Sequence, residues 1–182
     1  MKLRALVPSV VVALVGLCAG SASAYTVEAG DLLVRPVVGA SVNVLRLDVA
    51  TRATPPAGLL VGVDVDYAIT GPWNVTAAFR PVLAPGFVDA GLMAGAKYRW
   101  VQLEAPFIPY ASAGLTTALG FPLGYGDVHW NVGARVAAGV DYFVLRDLAV
   151  GFEVGGEASW LVTPLGAAEL SADALLGITW RF

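Results

Sequence analysis

The sequence predicts an all-β chain, an eight-stranded antiparallel up-and-down transmembrane β-barrel, on three observations. The composition is too apolar for a water-soluble domain: 57% of the 182 residues are hydrophobic and 14% charged, against roughly one half and one quarter in soluble globular domains. Beyond the first 24 residues no run approaches the ~20 uninterrupted apolar residues of a spanning helix, because glycines, prolines and charges break every one. The chain carries instead a two-residue rhythm, apolar against polar or small, in segments near the ~9–11 residues of a membrane-crossing strand. A backbone in lipid must satisfy its own hydrogen bonds, and with helices excluded a closed barrel is the remaining solution.

Residues 1–24 read as a cleaved Sec signal peptide. Lys2 and Arg4 open it, an apolar run follows, and Ala22-Ser23-Ala24 is a small-x-small cleavage site. The barrel domain is then 25–182, expected to make up the whole mature protein. Cys18, the single cysteine, raises lipid attachment as an alternative, but Leu17 stands where a lipoprotein signal wants a small residue. Cleavage after Ala24 leaves an exported chain without disulfides. Without Lys2 and Arg4, nine basic residues remain against 14 acidic ones. That balance argues against nucleic acid as a partner, since a phosphate-binding surface needs clustered positive charge.

The strands follow in order. Val34, Val38, Ala40 and Val42 oppose Arg35, Gly39, Ser41 and Asn43, with Pro36 tolerable near a strand start or bulge. In "GLLVGVDVDYAI" at 58–69, Leu59, Val61, Val63, Val65, Tyr67 and Ile69 oppose Gly62, Asp64, Asp66 and Ala68. Trp73, Val75, Ala77 and Phe79 oppose Asn74, Thr76, Ala78 and Arg80; Leu92, Ala94, Ala96, Tyr98 and Trp100 oppose Asp89, Gly91, Met93, Gly95, Lys97 and Arg99. The alternation weakens over 108–117, where the face taken by Tyr110 is left open. It returns at 128–142, with Trp130, Val132, Val136 and Tyr142 against His129, Asn131, Arg135 and Asp141, and at 148–158, with Val150, Phe152 and Val154 against Gly151, Glu153 and Glu157. The last strand, about 170–182, sets Ala174, Leu176, Ile178, Trp180 and Phe182 against Asp173, Thr179 and Arg181.

Eight is an even number, so both ends of the barrel meet on one side. Tight connections near 70–72 and 145–147 are placed in the periplasm, and the longer ones at 46–57, 119–127 and 160–169 outside. The connection at 101–107 is long for a periplasmic turn, and 84–87 short for an outer one. Trp73, Tyr98, Trp100, Trp130 and Tyr142, with Trp160, Trp180 and Phe182, lie at strand ends on the apolar face, where an interfacial girdle belongs.

"GAKYRW" at 95–100, "PYASAGL" at 109–115, "GVDYFVLRDLAVGFEV" at 139–154 and the terminal "GITWRF" resemble the strands and turns of small outer-membrane barrels of the opacity-protein and OmpX-like type. The resemblance spans the mature chain, but its motifs are architectural. It implies a multi-pass barrel in the outer membrane of a Gram-negative cell, embedded in outer-membrane lipid after export through the inner membrane. It also implies that the last strand, with Trp180 and Phe182, serves as the recognition signal for the barrel-insertion machinery. It implies no shared chemistry, because this fold hosts adhesins, scaffolds, narrow channels and a few lipid-modifying enzymes.

The face opposite the apolar one collects six cations, Arg35, Arg80, Lys97, Arg99, Arg135 and Arg181, and seven acids, Asp64, Asp66, Asp89, Asp141, Glu153, Glu157 and Asp173. The signs nearly cancel, and eight strands leave room only for side chains. Interleaved glycines give long side chains space to cross and pair, so the lumen reads as a packed ionic core and its charges as structural. A binding or proton-relay role for Asp64 and Asp66 beside Arg80 is the functional alternative.

Enzymatic activity is not expected. Lipid A deacylases of similar size carry a histidine followed two positions later by the serine nucleophile; His129 is the only histidine here, and that place holds Asn131. No metal-ligand pattern and no cofactor motif is present. The outer stretches "LGFPLGYG" at 119–126 and "LVTPLGAA" at 161–168 are apolar and nearly uncharged, which predicts contact with protein partners or lipid. The expected function is therefore that of a structural or scaffold barrel, a subunit of a larger cell-envelope assembly, with a surface adhesin or a narrow small-solute channel as the alternatives.

Overall fold

A computed structural model describes residues 27–47, 57–101, 106–124, 128–162 and 167–182; the signal-peptide assignment lies outside these residues. Alternating segments with one apolar face become strands that find partners on both sides. The eight are β1 (Leu32–Leu47), β2 (Ala57–Ala68), β3 (Trp73–Ala84), β4 (Phe87–Arg99), β5 (Phe107–Pro122), β6 (His129–Leu145), β7 (Leu148–Leu161) and β8 (Ala167–Arg181). Each pairs antiparallel with the next, and β8 returns to β1 to close the barrel. Closure extends to the last residue, where Phe182 and Leu32 exchange backbone hydrogen bonds of 2.9 and 3.1 Å. Carried once around the ring, the register advances by about ten residues, the stagger that tilts strands by roughly 40°.

Two prolines leave their mark on the ladder. Pro36 pairs with Val63 on β2, but the register between β1 and β8 passes from Val34 to Val37. Pro81 pairs with Ala90 on β4, while the β2–β3 register omits it. A residue without an N–H keeps one neighbour and interrupts the other.

The connections at the end that carries both chain ends, taken as periplasmic, include the two-residue link Arg146-Asp147 and the tight turn at 69–72, where Ile69 and Thr70 donate to the Trp73 carbonyl at 2.9 and 3.1 Å. At the other end β3 and β4 are joined by Pro85-Gly86, with Gly86 at a φ of 75° that a side chain would resist. The apolar stretches assigned to outer loops are largely strand. Residues 119–122 belong to β5, since Gly120 pairs with His129 and Pro122 with Phe87, and Leu161 and Ala167–Ala168 belong to β7 and β8. Ladder pairing, on both sides for Leu119, Gly120, Leu161 and Ala168 and on one side for Phe121, Pro122 and Ala167, outweighs the turn-like composition of these segments. Leu123, Val128 and Val162 remain outside the strands and exposed; residues 125–127 and 163–166 lie outside the described residues.

The exterior is the apolar face. Val38, Val63, Phe79, Leu92, Leu115, Val136, Phe152 and Leu176 are all about half exposed or more, an arrangement stable only if lipid covers it. Aromatic residues ring the periplasmic end: Tyr67, Trp73, Tyr98, Trp100, Phe107, Tyr142, Trp180 and Phe182. Several touch, with ring centroids 5.0 Å apart for Trp73 and Tyr98, 5.1 Å for Tyr98 and Trp100, and 4.8 Å for Phe107 and Tyr142. Trp130, Trp160 and Phe121 mark the opposite end.

Candidate functional site

Strand parity delivers the charged side chains into a space without bulk water, where each needs a partner. Arg35, Asp64, Asp66, Lys97, Arg99, Arg135, Asp141 and Glu153 are 3% exposed or less. They fall into two sets. Toward the periplasmic end, Asp66 accepts hydrogen bonds from Lys97 Nζ and Arg99 Nη2, each 2.6 Å, and Arg99 Nη2 also lies 3.6 Å from Asp141 Oδ2. Toward the middle, Glu153 receives three guanidinium groups: Arg35 at 3.3 Å, Arg80 at 3.1 Å and Arg135 at 2.9 Å. Arg80 also forms a two-pronged pair with Asp64 at 2.7 Å on both arms, and Arg135 one with Asp173 at 2.5 and 3.2 Å. Five cations thus meet five acids, and among the described residues no ion pair joins the two sets.

Tyr110 touches both. Its ring lies 4.8 Å from Lys97 Nζ, 5.6 Å from the Arg35 guanidinium and 5.8 Å from that of Arg99. Its hydroxyl accepts from Arg35 and donates to Glu153 at 2.9 Å. β1 and β5 are on opposite sides of an eight-strand ring, so the Arg35–Tyr110 contact crosses the lumen. Tyr110 can lean inward because Gly139 stands beside it on β6; a β-carbon there would be 2.5 Å from the Tyr110 Cζ and hydroxyl. Gly177 likewise leaves room for the Arg35 side chain on β1.

Outside the ionic layers the lumen opens into a cavity of about 110 Å³ whose lining includes Asp89, Asn131, Arg135, Glu157, Glu169 and Ser171. Thr116 donates to Glu157 at 2.9 Å, while Asp89 Oδ1 is buried without a hydrogen-bond partner. His129, at the rim, stacks on Phe87 with ring centroids 5.0 Å apart. Among the described residues no group of three or more His, Cys, Asp or Glu side chains is placed to hold a metal ion. At the other end an apolar floor of Val27, Leu33, Ala68, Ile108, Phe143 and Ala149 lies beneath the ionic layers.

The structure therefore gathers ten of the sequence-derived lumen charges into two ion-paired sets that both contact Tyr110, and leaves three apart. Asp89 and Glu157 line the outer cavity. Arg181 stays at the periplasmic rim, 3.1 Å from Asp147 and 3.8 Å from Asp31, instead of entering the core. Sequence reasoning left Tyr110 unassigned and did not single out Glu169 or the buried Asn74, Thr76 and Thr179. Tyr110 had a usable signal in its parity with Ile108, Ser112 and Gly114, hidden because Ala111 and Ala113 on the lipid side are small.

Comparison with solved structures finds the same architecture. The outer membrane protein OprG from Pseudomonas aeruginosa superposes with a TM-score of 0.65 at 14% identity, over 88% of this chain and 99% of that one. Neisserial surface protein A gives 0.62 at 17% identity, over 84% and 97%. The N-terminal β-barrel domain of Pseudomonas aeruginosa OprF gives 0.59 at 15%, over 84% and 98%. The chain has the fold of the eight-stranded outer-membrane β-barrels. At these identities the likeness is one of fold, the fold implied by the opacity-protein and OmpX-like resemblance, and the apolar exterior of this barrel is the face such a fold turns to lipid. No protein-family model matches the barrel's sequence, and neither does any curated protein.

Proposed function

We propose that this outer-membrane barrel is a structural body, a non-conducting scaffold that serves as a subunit of a larger cell-envelope assembly. The observation that carries the reading is the matched lumen: five cations, four of them buried and Arg80 nearly so, and five acids, crossed by Tyr110, fill the interior where a solute would travel. A selective pore would bias one sign along its wall or leave an open path. The exposed apolar residues at the outer end, Leu123, Val128 and Val162 among them, support contact with a neighbouring molecule. No catalytic step is assigned, because Asn131 offers no nucleophilic hydroxyl two positions after His129.

The test has two arms. Purified barrel in planar bilayers is expected to stay silent, and discrete conductance steps would replace this reading with the channel. Mild-detergent extraction after cross-linking in intact cells is expected to yield a stoichiometric complex. Recovery of monomer alone would remove the assembly role.

A further inference from the structure

The apolar floor contains one residue that no strand contributes. Val27 precedes β1, yet it is 2% exposed and packs with Leu33 of β1, Ala68 of β2, Ile108 of β5, Phe143 of β6 and Ala149 of β7, with Val101 at the edge. Those strands surround the lumen, so the valine side chain fills the centre of the periplasmic opening. The segment is folded back to reach it. Gly30 takes a φ of 98° and donates to the Ala68 carbonyl at 2.8 Å, while the Ala68 N–H donates to the Asp31 carbonyl at 2.9 Å. Glu28 N–H donates to Asp31 Oδ2 at 2.8 Å, closing a turn, and the same oxygen lies 3.8 Å from Arg181 at the rim. Gly71, in the tight turn between β2 and β3, passes close beneath: a β-carbon added there would stand 3.3 Å from the Val27 carbonyl oxygen.

We propose that Val27–Asp31 is a strap that stoppers the periplasmic end of the barrel, making the molecule a cup whose polar cavity communicates only with the outside. The seal is chemically distinct from the ionic layers above it. Apolar side chains from five strands converge and a sixth group enters from the N-terminal segment, the kind of dry constriction that water and ions do not cross. The strap is held by one buried side chain, two backbone hydrogen bonds to Ala68 and the Asp31–Arg181 ion pair at the rim, so it is the part of the closure that a periplasmic binding event can displace without unpairing any strand. The inference is independent of the scaffold reading, which rests on the ionic layers.

The experiment uses the mature barrel from Tyr25, which has no native cysteine, folded in detergent micelles. Ala68→Cys places a reporter thiol in the buried floor that includes Val27, and Ala149→Cys a second one in the same floor in case the first disturbs packing. Ser171→Cys, on the wall of the outer cavity, is the control. A small cationic methanethiosulfonate should label the outer thiol rapidly and the floor thiols slowly. Val27→Gly should then speed labelling of the floor thiols on the order of ten- to hundredfold, the factor expected when the burial of one valine side chain no longer holds the strap down, and leave the Ser171→Cys rate unchanged. Equal floor rates with Val27 and with Gly at 27, or a floor thiol that already labels as fast as the outer one, overturns the strap. Either result leaves the bilayer recordings, and hence the scaffold reading, to be judged separately.

Discussion

Replacing Glu153 by alanine tests whether the lumen is a packed ionic core or a hydrated channel. The carboxylate is fully buried and accepts from Arg35, Arg80, Arg135 and Tyr110. On its removal Arg80 retains Asp64 and Arg135 retains Asp173. Arg35 is left with the Tyr110 hydroxyl as its only hydrogen-bond partner among the described residues. That buried guanidinium then loses the one carboxylate it is ion-paired with among the described residues, and Asp141 and Asp64 act on it only from farther away, a loss of up to about 3–5 kcal/mol of unfolding free energy. Reversible urea unfolding in micelles, followed by tryptophan fluorescence, reads the change directly. Arg35→Ala together with Glu153→Ala should be less damaging than the sum of the two single changes, because the double variant strands no charge on this pair. If Glu153→Ala stays within about 0.5 kcal/mol of the wild type, the range of an inconsequential surface change, the guanidinium groups are solvated by lumen water and the packed-core argument fails.

The other expectations concern separate parts of the barrel. Asp66→Asn removes the one carboxylate shared by Lys97 and Arg99; the same unfolding assay should show a loss of about 3–5 kcal/mol, and an unchanged midpoint would contradict it. Tyr110→Phe deletes two charged hydrogen bonds but keeps the ring among its three cations, so about 1.5–3 kcal/mol should be lost while the planar-bilayer trace stays silent. Phe79→Arg, on the lipid face midway along β3, should cost about 2–4 kcal/mol in a bilayer; tolerance of the charge would place that face against protein or water. Deleting Phe182 removes both hydrogen bonds that finish the β1–β8 seam; lower yield of heat-modifiable barrel in the outer membrane is the expected readout, and full yield would show that closure does not need the last residue.

Much of this was legible in the chain because side-chain alternation is a local property. The parity that put Asp64, Asp66, Lys97 and Arg99 on one face is the parity of the folded strands, since a slip of one residue would send every one of them into lipid. Loop boundaries were less legible. "LGFP" at 119–122 reads as turn-forming, yet these residues extend β5 because β4 continues far enough to pair with all four and β6 with the first two. Arg181 shared the inward parity of the lumen charges but sits one layer too close to the rim to enter, and Asp147 and Asp31 meet it there.

The alternation along the chain is enough to tell that it makes strands, how many, which residues each strand shows to lipid and which it turns inward, because a period of two is fixed by the backbone. Who meets whom inside is settled by the closed ring. Glu153 on β7 takes its partners from β1, β3 and β6, Tyr110 on β5 reaches Arg35 across the ring, and Val27 comes from outside the strands altogether. Those encounters depend on closure and on the stagger between strands, quantities set by the whole ring of pairings, so no local pattern could carry them.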